Sequence, residues 1–258
     1  MTMISFSSSA LVDKPFDWAY ELEDLGYSGW EIVNEGRQRL TPETLNLARD
    51  ISDTTNLVIT IHLPYSDLNL ASMNQPIQEE SVRQTNACLD LASEFSRLAV
   101  VHPGHLSPLG KQMPDRAWEQ NIQGLQRICD HAADLDMVVA VENMPNIESL
   151  LGRTPGEILG MLENVNRDNL GFVFDVGHAN TNDNVDQFLE IKDKIIHVHV
   201  HDNHGERDEH LPIDWGTVNW ENVIGALNGY TGRFITESRS LIEGERSVRK
   251  LKLYRDRC

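Results

Sequence analysis

Short runs of apolar, β-favouring residues recur along the chain at Met3–Phe6, Gly29–Val33, Leu57–Ile61, Leu98–Val101, Met137–Val141, Leu170–Phe174, Ile195–Val198 and Phe234–Thr236. Between them lie longer stretches with helical periodicity or helix-start signals. Asp13, Lys14 and Pro15 lead into FDWAYELEDLGY; Thr41, Pro42 and Glu43 open a second helix; Thr154 and Pro155 open another. A capping side chain followed by proline suits a first turn, because proline lacks only an N–H that would be unpaired there. The segments 76–95, 114–135, 185–193, 219–228 and 241–255 also read as helices. Strand followed by helix, repeated, is the pattern of a parallel sheet. Eight such units in a chain of 258 residues predict a (β/α)₈ barrel, one domain over residues 1–258 with no repeat or linker. An open doubly wound sheet is the competing arrangement. No GxGxxG or GxxxxGK[ST] follows the first strand, which removes its common nucleotide-binding forms.

Composition narrows the class. With 40% hydrophobic and 24% charged residues the chain has the profile of a soluble globular protein, long enough to bury its core without disulfides. No apolar run approaches the roughly eighteen residues needed to span a bilayer, and MTMISFSSSA lacks a basic flank or signal-peptide core. A cytoplasmic protein without membrane attachment is expected; its oligomeric state is not legible. Cys88, Cys129 and Cys258 are odd in number and far apart, which argues against both a disulfide framework and a thiolate zinc site. The net charge of −18, from 22 basic and 40 acidic residues, disfavours general affinity for nucleic acid, although a local patch can still bind it. Bound cations would neutralise some of these carboxylates.

The polar residues that close the strand runs change the picture most. LVITI ends on His62, LAVV on His102, MVVAV on Glu142 and LGFVF on Asp175; IIHV reaches His199 and FIT ends on Glu237. Six consecutive strands thus finish with a metal-capable side chain at the carboxyl end, where barrel enzymes build their sites. A single histidine after a strand is more often a satisfied loop residue. Six in register are different, because clustered buried carboxylates and imidazoles without a cation would be costly. His178, in FDVGHA, and Asp208 and His210, in RDEHLP, follow closely. Nine imidazole and carboxylate donors exceed the coordination number of about four to six of one ion, so two or three divalent ions are expected. Zinc comes first, with Mn, Co or Fe as alternatives.

His197, His199 and His201 alternate and share one face, and not all three are expected to ligate. One arrangement packs His197 inside the barrel and leaves His201 to orient substrate or a neighbouring ligand. His105, His131 and His204 read as surface residues. Glu31, at the end of the second strand, is a candidate to hydrogen-bond a substrate hydroxyl, or is a solvated carboxylate. Trp215 and Trp220 either stack on a sugar or base or close the rim.

HLPYSDLNLAS, VVHPGH, VENMPN, FDVGHA, HVHDN, DEHLP and the terminal ITE, spread over about residues 29 to 237, resemble the xylose-isomerase-like TIM-barrel superfamily. It includes sugar-phosphate isomerases and epimerases and the endonuclease IV type of abasic-site nuclease. The nuclease resemblance implies a trinuclear zinc cluster on His62, His102, Glu142, Asp175, His178, His199, Asp208, His210 and Glu237. The epimerase resemblance implies one ion on Glu142, Asp175, a histidine of the HVH run and Glu237, with both glutamates moving the proton. Two departures separate this chain from the nuclease. Ser66 and Asp67 follow Tyr65 where the nuclease carries an apolar DNA-penetrating stretch, and His201 replaces the asparagine of its HxND motif. GERDEHLPIDWGTVNW is more similar to the sugar-isomerase branch.

The leading expectation is a metal-dependent isomerase or epimerase of a sugar or sugar phosphate. Glu142 and Glu237 would act as base and acid, and Glu31, Tyr65 and His201 would touch the substrate. The alternatives are a multinuclear zinc phosphoesterase, acting on abasic DNA or a small phosphate ester, and a metal-binding barrel without catalysis.

Overall fold

The computed structural model describes residues 3–11 and 13–257; Cys258 lies outside them. Eight parallel strands close into a barrel in sequence order: β1 (Ile4–Ser7), β2 (Gly29–Val33), β3 (Val58–His62), β4 (Leu98–Val101), β5 (Val138–Glu142), β6 (Leu170–Asp175), β7 (Ile195–Val200) and β8 (Arg233–Glu237). Closure comes from β1 pairing with both β2 and β8, which rules out the open sheet. The expected strands are all present, with several carboxyl ends a residue or two further on, so His62, Glu142, Asp175 and Glu237 are the last strand residues.

The helices are α1 (Pro15–Trp18), α2 (Leu22–Leu25), α3 (Pro42–Thr54), α4 (Gln75–Ala92), α5 (Pro114–Asp134), α6 (Pro155–Val165), α7 (Val176–Thr181), α8 (Val185–Leu189), α9 (Trp220–Ala226) and α10 (Leu241–Arg255). Thr41 and Thr154 cap α3 and α6 through reciprocal capping boxes, Thr154 with Glu157. The expected helix over FDWAYELEDLGY is instead α1, a 3₁₀ turn at Ala19–Glu21 and α2. Phe16, Trp18, Phe6 and Trp30 meet there edge to face, and packing this aromatic cluster against β1 and β2 overrides a continuous helix. The segment 185–193 is α-helical only through Leu189, with a 3₁₀ turn following at Lys192–Lys194. The pattern gave no sign of α7, a six-residue helix too short for periodicity.

Alternation sorts the strands. Ile4, Phe6, Trp30, Ile32, Ile59 and Ile61 belong to the main core, while Ser5, Ser7, Glu31, Thr60 and His62 occupy the intervening positions. Val100, Ala140 and Val173 form a separate apolar cluster. His102, Glu142 and Asp175 each stand two residues further along the same strand direction, one layer nearer the mouth. Buried Cys88 and Cys129 are free thiols. Among the described residues no helix is long and apolar enough to cross a membrane.

Candidate metal centre at the barrel mouth

All nine expected ligands converge at the carboxyl end of the barrel. His62 Nε2 lies 3.1 Å from His102 Nε2 and 3.3 Å from Glu142 Oε2; His102 Nε2 lies 3.1 Å from the same oxygen. His199 Nδ1 is 2.9 Å from Glu142 Oε1, 3.3 Å from Glu237 Oε1 and 3.8 Å from Asp175 Oδ2. His178 Nε2 and His210 Nε2 approach Asp208 Oδ2 at 3.4 and 3.0 Å, and His210 Nδ1 is 3.5 Å from Glu237 Oε2. Glu142, Asp175 and His199 are essentially inaccessible, whereas His102, Asp208 and His210 keep some exposure.

The imidazoles are aimed by partners on their far nitrogens. His62 Nδ1–H donates to the Leu63 carbonyl at 3.0 Å and His178 Nδ1–H to the Asn143 carbonyl at 2.8 Å, so each presents Nε2 to the cluster. His199 is turned the other way round: Nδ1 faces the carboxylates and Nε2 lies 2.9 Å from Glu31 Oε1, although out of line for a hydrogen bond. Metal-binding histidines are commonly oriented in this way by carbonyls and carboxylates.

Asp208 and His210 belong to a long loop between β7 and α9, and Asp202 holds that loop in place. Its backbone forms an antiparallel bridge with Leu211. Its buried carboxylate accepts from Asn203 N, Val218 N and Trp220 Nε1. A Cβ on Gly216 would sit 2.3 Å from Asp202 Oδ1, so glycine is required where the loop doubles back. His210 itself adopts φ 50°, a left-handed conformation that costs energy for a non-glycine residue and turns its ring toward Asp208.

Glu31 is not at the end of its strand and does not line the cavity. It is fully buried in mid-β2, where Oε2 accepts from Thr60 Oγ1 at 2.9 Å and lies 2.8 Å from His197 Nε2. The expected contact with a substrate hydroxyl is corrected accordingly: inward alternation places this side chain in the layer beneath the ligands, among the strand-seven histidines. His197 packs inside the barrel. His201 does not face the cavity either; it is buried, with Nε2 3.2 Å from Asp175 Oδ1 and 3.4 Å from Asp208 Oδ1. Tyr65 does line the cavity, stacked on His102 at 4.6 Å between centroids. Neither tryptophan reaches it: Trp220 is buried against Asp202, and Trp215 lies under Arg246. His131 and His204 pair with Asp90 and Glu209 near the surface, but His105 is half-buried and its backbone is tied to Asn69.

The field in the cluster is strong. Burial alone would raise the Glu142 carboxyl, but the His199, His102 and His62 imidazoles more than offset it and hold it well below the usual range. Burial pushes the Glu237 carboxyl up; His199 and His210 oppose this, and Asp175 and Glu142 add to it. Burial, reinforced by Glu237 and Glu35, lifts the Tyr65 phenol to about 12.

The donor set fits divalent cations. Asp175 Oδ2 and both ring nitrogens of His201 are buried without a hydrogen-bond partner, a costly state that coordination would relieve. Triads that could hold an ion include His62, His102 and Glu142; Glu142, Asp175 and His199; and His201, Asp208 and His210. The cavity above them measures about 510 Å³. Its apolar lining includes Val33, Met144, Pro145 and Ile147, and among the described residues its one lysine or arginine is Arg239.

Fold and site define a parallel eight-stranded barrel whose mouth gathers imidazoles and carboxylates able to bind divalent cations. Residues 19–256 match the family described as xylose isomerase-like TIM barrel, and the chain belongs to that family. An uncharacterized protein of Methanocaldococcus jannaschii is 35% identical, the alignment covering 97% of this chain and 89% of that protein. A solved structure described as a D-tagatose 3-epimerase-like protein is 34% identical, with a TM-score of 0.93 over 98% of this chain and 97% of that one. More distant relatives point both ways. Fructoselysine 3-epimerase of Escherichia coli O157:H7 is 21% identical over 84% of this chain and 83% of its own length. A probable endonuclease 4 of Mycoplasmopsis pulmonis is 24% identical over 73% of each.

Proposed function

We propose that the protein is a divalent-metal-dependent isomerase or epimerase acting on a sugar or sugar phosphate. The observation that carries this reading is the convergence of Glu142, from β5, and Glu237, from β8, on one nitrogen of His199, with Asp175 beside them. Glu142, Asp175, His199 and Glu237 would hold the ion, which supplies Lewis acidity toward adjacent carbonyl and hydroxyl oxygens and so acidifies the C–H between them. The two glutamates flank that position with opposite proton affinities, Glu142 lowered and Glu237 raised. Such a pair suits abstraction by Glu142 and return of a proton from Glu237. Met144, Pro145 and Ile147 would face a C–H edge of a sugar, and Tyr65 would bound the cavity beside His102.

A second reading, multinuclear phosphoester hydrolysis, is favoured by the donors on β3 and β4 and on the long loop, which exceed what one ion needs. The cavity's charge weighs against DNA. Arg239 is already occupied by two contacts to Glu243, at 3.1 and 2.9 Å, so among the described residues the cavity lining offers no unpaired lysine or arginine to a phosphate backbone.

The deciding experiment follows solvent deuterium into candidate ketoses and their phosphates, alongside cleavage of an abasic-site duplex and simple phosphate esters. The expected result is metal-dependent exchange without cleavage, because only C–H abstraction washes in deuterium. Cleavage of the duplex with no exchange in any sugar would overturn the proposal in favour of the hydrolase.

A further inference from the structure

We propose that His201 is itself a metal ligand, completing with His178, Asp208 and His210 a His₃Asp site for an ion distinct from the one assigned to Glu142, Asp175, His199 and Glu237. Its ring is buried, yet neither ring nitrogen has a hydrogen-bond partner. Nε2 points between two carboxylates, 3.4 Å from Asp208 Oδ1 and 3.2 Å from Asp175 Oδ1. His201 belongs to two candidate triads, one with Asp175 and His178, the other with Asp208 and His210. The rings of His201 and His210 stack face to face, 4.2 Å apart and 9° from parallel. Two imidazoles packed in this way against one carboxylate are poorly explained by apolar packing.

The neighbouring chain makes room for this ring. A Cβ on Gly177 would lie 2.0 Å from His201 Cε1 and 2.4 Å from its Nε2, so only glycine at the start of α7 admits the imidazole. Gly177 and His178 are adjacent, so one short turn both supplies a ligand and clears space for another.

Four protein donors fill a tetrahedral shell, as in structural zinc sites, which keep no open position for substrate. The ion would tie the β7–α9 loop, through Asp208 and His210, to α7 and the end of β7. It would organise the cavity wall and take no part in the chemistry, whichever reaction the other donors perform.

The test counts metal and probes the loop, so it is independent of any activity. Wild-type protein, His201→Asn and Gly177→Ala are loaded with zinc, passed over a weak chelating resin and analysed for metal per chain. Each is then digested with trypsin, which can cut after exposed Arg207 in this loop. Wild type is expected to retain at least two ions and resist cleavage there. Each variant should lose one ion per chain and be cut at least tenfold faster. Gly177→Ala keeps the imidazole but displaces it, so the two variants separate ligation from mere side-chain removal. If His201→Asn fails to fold, Gly177→Ala alone decides. A wild-type count of one, or full retention of metal with unchanged cleavage in a folded variant, would overturn the proposal. Exchange into sugars, measured on the same samples, reports separately on the isomerase reading.

Discussion

Glu31 Oε1 sits 2.9 Å from His199 Nε2, so the histidine whose other nitrogen faces Glu142 and Glu237 is backed by a carboxylate buried inside the barrel. Glu31 stays ionised there: its burial opposes the charge, but the His199 and His197 imidazoles hold its carboxyl below the usual range. Glu31→Gln should therefore weaken the ion on His199. A fall in zinc affinity of roughly 10- to 100-fold is expected, as for other partners behind metal ligands. Competition against a chromophoric chelator measures it, and an unchanged affinity would remove Glu31 from the site's support.

Glu142→Gln and Glu237→Gln should each lower the exchange rate by more than the ~10²-fold typical of one acid–base group, since each change removes a metal donor and a proton carrier together. Circular dichroism should show the fold intact. Exchange at a wild-type rate in either variant would exclude that residue from the reaction.

His62, at the end of β3, and His102, just after β4, separate the two readings. The double change His62→Ala, His102→Ala is expected to leave in place both the ion on Glu142, Asp175, His199 and Glu237 and the one on His178, His201, Asp208 and His210, and to leave exchange measurable. Elemental analysis decides it. A double variant that loses one ion relative to wild type, together with all activity, would give these histidines an ion the reaction needs, as the multinuclear hydrolase requires.

Removing metal should cost stability, and the cost should grow with pH. Burial lowers the His201 imidazole, but Asp175 and Asp208 outweigh it and raise it from the ordinary 6.5 to about 9; His178 and His199 are also raised. A folded-state value above the unfolded one means that protonation stabilises the metal-free fold fully below about pH 6.5 and is lost as pH rises through about 9. Metal binding needs these rings deprotonated and so strengthens across the same window. The Tm difference between zinc-loaded and chelator-treated protein is expected to widen from pH 6.5 to 9. A constant or shrinking gap would place the metal elsewhere.

What could be read along the chain was whatever depends on local order. Strand-length apolar runs alternating with capped helices determine a barrel, because parallel strands need crossovers and eight of them close. Polar residues closing the runs mark the mouth, because alternation carries every second side chain inward and the carboxyl ends share one rim. His62, Glu142, Asp175 and Glu237 were legible for that reason. The roles of Glu31 and His201 were not. Glu31 reads as a rim residue until the barrel shows it one layer down, beside histidines 166 and 168 residues later in the chain. His201 reads as a substrate contact until α7 brings Gly177 against its ring and the β7–α9 loop folds Asp208 over it. Those contacts depend on how far each strand is staggered against its neighbours and on a loop pinned by one buried aspartate. Only closure of the barrel sets these distances, because they join residues that no local preference relates.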